Sequence, residues 1–234
     1  MKKYSYIILI FNFLSLVSKP IVISLGENCA PAAALRTLFN RYYGLRDKAF
    51  PFDWIVTSFE GLYKCIQEDF ENFLNEKYLI KHPIHPQTGG VINIYYDFQF
   101  NHDFPTTHNI NPPEEDPSFA GEVRDDFKQL IQPVKEKYFR RIQRFYEACK
   151  GQTPVVFIRR RATKGQAEKL YALLQKKFPD IEFTLVIVDS YEEIKNDWGL
   201  SNIKNFYIPD YYDRTMYGID SEEWKSMLQA VGIL

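Results

Sequence analysis

The sequence predicts an α/β fold: three layers, a mostly parallel sheet with helices on both faces. Three observations carry this. Strand-like and helical segments alternate after residue 150. The strand-like segments there are near-continuous apolar runs rather than alternating ones, as in strands buried on both faces. A chain of 234 residues, 45% hydrophobic and 25% charged, suits one globular domain with a sizeable core.

Taken in order, Ile21 to Leu25 is a short apolar strand that meets a glycine turn at Gly26. Ala32 to about Tyr42 is helical in composition, and Pro31 is tolerated because its missing N–H falls in the first turn. Ala49 to Ile55 forms an aromatic turn, and Thr57 stands three residues before Glu60, a capping box opening a helix to about Leu74. Pro83, Pro86, Gly89 and Gly90 mark a loop. From Val91 to Asp103 the sequence alternates as one strand, with Ile92, Ile94, Tyr96, Phe98, Phe100 and His102 on one face and Asp103 on the other.

Pro105 to Pro117 is a proline-rich acidic loop. Glu122 to Lys150 reads as a helix kinked at Pro133, with an apolar stripe of Tyr138, Phe139, Ile142, Phe145 and Tyr146 beside Arg140, Arg141 and Arg144. Strands follow at 154–159, 183–188 and 203–208. Between and after them come helices capped by Thr163 with Gln166 and by Ser190 with Glu193, and a last helix over 221–231. The abundant aromatics, 19 Phe and 16 Tyr, fit either an aromatic core or a ring-lined groove.

The first 18 residues stand apart: Lys2 and Lys3 precede an uncharged apolar run ending near Ser18, the pattern of a secretory signal peptide. The division expected is a leader over 1–18 and a single α/β domain over 19–234, with a secreted or periplasmic protein and no stable membrane association after cleavage. If the run is instead a buried first strand, the protein is cytoplasmic. Export permits a Cys65–Cys149 bridge that leaves Cys29 free. A formal net charge of −1 gives no general attraction to nucleic acid, and the absence of a Cys-x-x-Cys pair argues against structural zinc. His82 and His85 lie in a proline-rich loop without acidic partners; no metal and no cofactor is expected.

In open parallel sheets, ligands gather at the carboxyl ends of the strands. Here those positions hold Gly26 to Cys29, Arg159 to Arg161, Asp189, and Pro209 with Asp210, with His102 ending a further strand. Cys29 sits at a helix start, where unpaired N–H groups and the positive end of the macrodipole favour thiolate; the alternative is a small inert core residue. A thiol, an imidazole and a carboxylate at one rim suffice for acyl transfer. Asp53 either lines the site or caps a turn held by Phe52 and Trp54. Arg159 either binds a substrate anion bidentately or belongs to a solvated strand end with Arg160 and Arg161.

Several spaced motifs carry a family resemblance: Ile-Ser-Leu-Gly-Glu-Asn-Cys-Ala-Pro-Ala-Ala-Ala-Leu-Arg at 23–36, Pro-Phe-Asp-Trp at 51–54, Asn-His-Asp-Phe at 101–104, Glu-Lys-Tyr-Phe-Arg-Arg-Ile at 136–142 and Val-Phe-Ile-Arg at 156–159. The chain resembles a family, once grouped as a domain of unknown function, whose members are proposed to be papain-like cysteine peptidases. The resemblance implies Cys29 as nucleophile and His102 as base, with the histidine on an antiparallel sheet, although the rhythm after residue 150 reads as parallel. The third member is either Asp103 or Asp189. The expected activity is a peptidase or amidase acting on a peptide or small-molecule amide, with Gly26, Asn28, Asp53 and Arg159 as substrate-binding residues. The rival reading is a binding or transferase domain that holds a sugar phosphate or nucleotide at the Gly26–Cys29 helix start, clamped by Arg159.

Overall fold

The computed structural model describes residues 19–43, 48–82, 90–107, 122–189, 194, 196–209 and 222–234. The expected leader, His85, most of the 105–117 loop, the capping pair Ser190 and Glu193, Asp210 and Ser221 lie outside them.

Eight strands and five helices are described, in a mixed α/β arrangement. Four strands, β1 (Ile21–Ser24), β6 (Val155–Arg160), β7 (Phe183–Asp189) and β8 (Ile203–Tyr207), form a parallel sheet in the order β1-β6-β7-β8. The other four, β2 (Ile55–Thr57), β3 (Leu79–Lys81), β4 (Val91–Asn93) and β5 (Phe98–Phe100), form an antiparallel sheet in the order β2-β5-β4-β3. The expectation of a mostly parallel sheet is corrected accordingly: half of the described strands are antiparallel. Each of those four is three residues long, too short for apolar periodicity to announce it.

The helices are α1 (Ala30–Tyr43), α2 (Phe59–Gln67), α3 (Gln132–Ala148), α4 (Lys164–Lys177) and α5 (Glu222–Ala230). Period-two alternation divides the parallel sheet's side chains between two clusters. Phe157, Leu185 and Ile187 join α3, α4 and the antiparallel sheet through Tyr138, Phe145, Leu170, Ile55, Phe98 and Phe100. Val156, Ile158, Val186 and Val188 join α1 and α5 through Leu35, Leu38, Trp224 and Met227. Phe52, Phe70, Phe73, Phe98 and Phe145 pack ring against ring, with Phe52 centroids 5.4 to 6.3 Å from the other four. The aromatic wealth is therefore largely core.

Local signals fare unevenly. The Thr163–Gln166 capping box opens α4 with both reciprocal bonds present. α2 is capped instead by Ser58, which accepts from Gly61 N–H, because Thr57 ends β2. Pro133 does not kink a helix begun at 122; it lies at the start of α3, where its missing N–H costs nothing. The stretch read as one strand over 91–103 is a hairpin. Asn93 Oδ1 accepts from the N–H groups of Tyr95 and Tyr96, its amide donates to the carbonyls of Asn72 and Phe73, and Asp97 adopts φ +56°. The turn is two plus two residues, so the apolar alternation survives on paper while Ile94 is 56% exposed.

Candidate active site

The chain leaves β1 at Ser24 and bends through Gly26 (φ +74°) and Glu27 (φ +82°). Two hydrogen bonds fix this bend to the antiparallel sheet: Glu27 N–H donates to Thr57 Oγ1 (3.0 Å), and Thr57 N–H donates to the Glu27 carbonyl (3.1 Å). A Cβ on residue 26 would lie 2.8 Å from Thr57 Oγ1 and 3.1 Å from the Phe52 carbonyl, so the approach requires glycine. Asn28 Oδ1 then accepts from Ala30 N–H (2.9 Å), and the Cys29 carbonyl accepts from Ala33 N–H (2.9 Å). Cys29 is thus the residue that caps α1, partly exposed and packed against Ala32, Ala33, Ala49 and Trp54. Gly26 and Asn28, expected to bind substrate, build the turn that presents this thiol.

The other two thiols are free and buried, so the Cys65–Cys149 bridge is not formed. Burial raises the Cys65 pKa, with Glu68 adding to it against Lys177, and burial pushes Cys149 up to about 12. Neither is a nucleophile at neutral pH.

Pairing of Ile55 with Phe100 runs β2 and β5 antiparallel. The chain beyond Phe100, which carries His102 and Asp103, therefore runs alongside the chain before Ile55, which carries Asp53 and Trp54. Asp53 is buried and accepts from Phe50 N–H at 2.7 Å, the turn-capping alternative. His102 lies in the bend just past β5 of the antiparallel sheet, while Cys29 lies past a parallel strand.

Strand alternation placed Asp103 away from the apolar face; the structure corrects this. Residues 101–104 are bends, not strand, and Asp103 is 2% exposed. Its Oδ1 lies 2.7 Å from Lys137 Nζ on α3, itself 3% exposed, with Tyr138 and Arg141 close by. Burial pushes the Asp103 carboxyl up, but the charges of Lys137 and Arg141 and the hydrogen bond from Lys137 outweigh it and hold the pKa below the carboxylate range. Burial also lowers the His102 pKa; Asp103 pulls it up and Lys137 pushes it down, and the imidazole is neutral at neutral pH. Lys137 and Arg141 went unrecognised in the sequence. Their signal was spacing: two cations four residues apart flank Tyr138 on a helix face that also buries Phe145, and buried cations demand a buried anion.

Arg159 is not at a solvated rim. It is 1% exposed, and it donates from Nη1 to the Leu25 carbonyl and Thr57 Oγ1 and from Nη2 to the Thr57 carbonyl (2.9 Å). Burial pulls its pKa down to about 10, against the pull of Glu27. The expected substrate clamp is therefore a bolt between the two sheets, and Arg160 is buried too. Arg161, partly exposed, reaches Glu27 (3.2 Å) and with Asp189 lines a cleft at the carboxyl ends of β6 and β7.

Among the described residues no three His, Cys, Asp or Glu side chains are grouped to hold a metal ion, and no helix is long and apolar enough to cross a membrane. Residues 21–192 match the model of a family described as "putative papain-like cysteine peptidase (DUF1796)". No curated protein and no solved structure matches the chain.

Proposed function

We propose that this chain, which belongs to the putative papain-like cysteine peptidase family, is a thiol hydrolase of peptide or amide bonds with Cys29 as nucleophile and His102 as general base. The observation that carries the reading is the placement of Cys29: of the three thiols it alone is partly exposed, and it caps α1. The antiparallel sheet, whose β5 leads into the bend that carries His102, is hydrogen-bonded to the same turn through Thr57.

In the reaction, neutral His102 takes the Cys29 proton and the thiolate attacks the substrate carbonyl. The positive end of α1 stabilises the oxyanion that forms. Collapse of this intermediate expels the amine, which takes the proton from His102, and leaves a thioester. Water, deprotonated by His102, then hydrolyses the thioester and releases Cys29. Asp103, fixed by Lys137, supplies negative charge beside the imidazolium while it exists.

Hydrolysis of a fluorogenic peptide mixture tests this. Cys29→Ala and His102→Ala abolish turnover while the fold, followed by circular dichroism, persists; a Cys29→Ala variant that still hydrolyses the mixture overturns the assignment. The apolar segment over 1–18 supports an exported setting, and N-terminal sequencing of the mature protein checks it.

A further inference from the structure

Glu27 holds a left-handed backbone conformation, φ +82°, directly after Gly26 at φ +74°. For a residue with a side chain this costs energy and persists only where the surroundings over-determine it. Here a single residue does so: Thr57 Oγ1 takes the Glu27 N–H, and the Thr57 N–H donates to the Glu27 carbonyl. A hydroxyl has two acceptor lone pairs, and Arg159 Nη1 fills the second. The same guanidinium donates from Nη1 to the Leu25 carbonyl and from Nη2 to the Thr57 carbonyl, each at 2.9 Å. Arg159 therefore grips the residue before the strained turn and the last residue of β2 at once.

Stability alone does not account for this guanidinium. It is closed to water, its Nε–H meets no acceptor, and Glu27, the carboxylate whose charge reaches it, is ion-paired with Arg161 instead. A buried cation without a buried anion is costly, and the two sheets already share an apolar core through Phe157, Ile55 and Phe100. Apolar packing is non-directional. The planar fork adds donors in fixed directions, and so a fixed relation between the two elements it joins. Those elements lead to the two reacting groups. Leu25 runs through the turn to Cys29, and β2 pairs with β5, which leads into the bend carrying His102.

We infer that Arg159 and Thr57 are positioning residues for the thiol chemistry: their clasp sets the separation and orientation of Cys29 against His102. The inference rests on the hydrolase reading. Neither residue touches substrate; both act through the nucleophile and the base. Misplacing reacting groups by about 1 Å costs about 10²-fold in rate, so a clasp of this kind has a large kinetic effect.

Kinetics on a fluorogenic peptide drawn from the hydrolysed mixture, with iodoacetamide alkylation of Cys29 beside them, test it. Thr57→Val keeps the shape and loses the hydroxyl; it lowers kcat about 10²-fold with little change in KM. Thr57→Ser, which retains the hydroxyl, restores most of the rate. Arg159→Lys keeps the charge but loses the fork, and follows Thr57→Val. Alkylation supplies a readout that lost stability does not move. His102→Ala and Thr57→Val each slow alkylation of Cys29 at neutral pH, and combining them slows it no further, because both act on one pairing. Circular dichroism checks the fold of each variant, and if Thr57→Val does not fold, Arg159→Lys carries the same comparisons. Additive slowing, a rise in KM with kcat unchanged, or clasp variants at wild-type rates while His102→Ala slows alkylation overturns the inference and leaves the hydrolase reading standing. Alkylation that His102→Ala leaves unchanged overturns the hydrolase reading and the inference with it.

Discussion

Lys137 Nζ lies 2.7 Å from Asp103 Oδ1, with both side chains closed to water behind the half-buried His102. The pair joins α3 to the segment after β5 across 34 residues of sequence, so a charge that would be prohibitive alone is neutralised where the base sits.

Breaking this pair on one side leaves a buried charge without its partner. Lys137→Met is expected to cost roughly 3–5 kcal/mol of stability, whereas Asp103→Asn with Lys137→Met costs less because the carboxylate deprived of its lysine is gone, the remaining loss being that of the anion beside buried Arg141. Urea unfolding of both variants measures the difference; equal losses would show that the ion pair contributes nothing specific.

The pH dependence follows from His102. Its folded pKa is depressed, so below the ordinary value of about 6.5 the unfolded chain takes up a proton that the native one does not. Stability therefore falls as pH drops from about 6.5 toward the folded value. The acid limb of kcat/KM likewise lies below 6.5. Asp103→Asn removes the group that raises the pKa and moves that limb to lower pH; Lys137→Met removes one that lowers it and moves the limb up. Shifts in the same direction would refute this electrostatic account.

Alkylation separates the thiols. Iodoacetamide at neutral pH modifies Cys29 in the native protein and spares Cys65 and Cys149, whose burial keeps them protonated; all three react in denaturant. Peptide mass mapping reads the sites, and native labelling of Cys65 or Cys149 at a comparable rate would contradict the burial.

Gly26→Ala strains the turn beneath the nucleophile twice, through φ +74° and through a contact of 2.8 Å with Thr57 Oγ1. The expected loss is about 1–3 kcal/mol, together with slower Cys29 alkylation. Gly199→Ala, which also has positive φ but open space around it, is the control: it loses stability without altering the thiol.

The features legible in the residues alone are local or continuous. The Thr163–Gln166 box is written within four residues, β6 and β7 of the parallel sheet announce themselves as near-continuous apolar runs, and the cap at Cys29 follows from a glycine turn before an alanine-rich helix. The tertiary structure decided what depends on distant partners. Three-residue strands gain their identity only from the neighbours they pair with, and the 91–103 stretch folds back because Asn93 binds the turn N–H groups and Asn72 and Phe73 hold its amide. The fate of a charge was equally non-local. Asp103 and Arg159 could be read as exposed until Lys137, 34 residues away, and Thr57, 102 residues away, supplied the interactions that make burial tolerable. Sequence patterns report backbone propensity and apolar period, but the cost of burying a charge is set by whatever the fold brings against it.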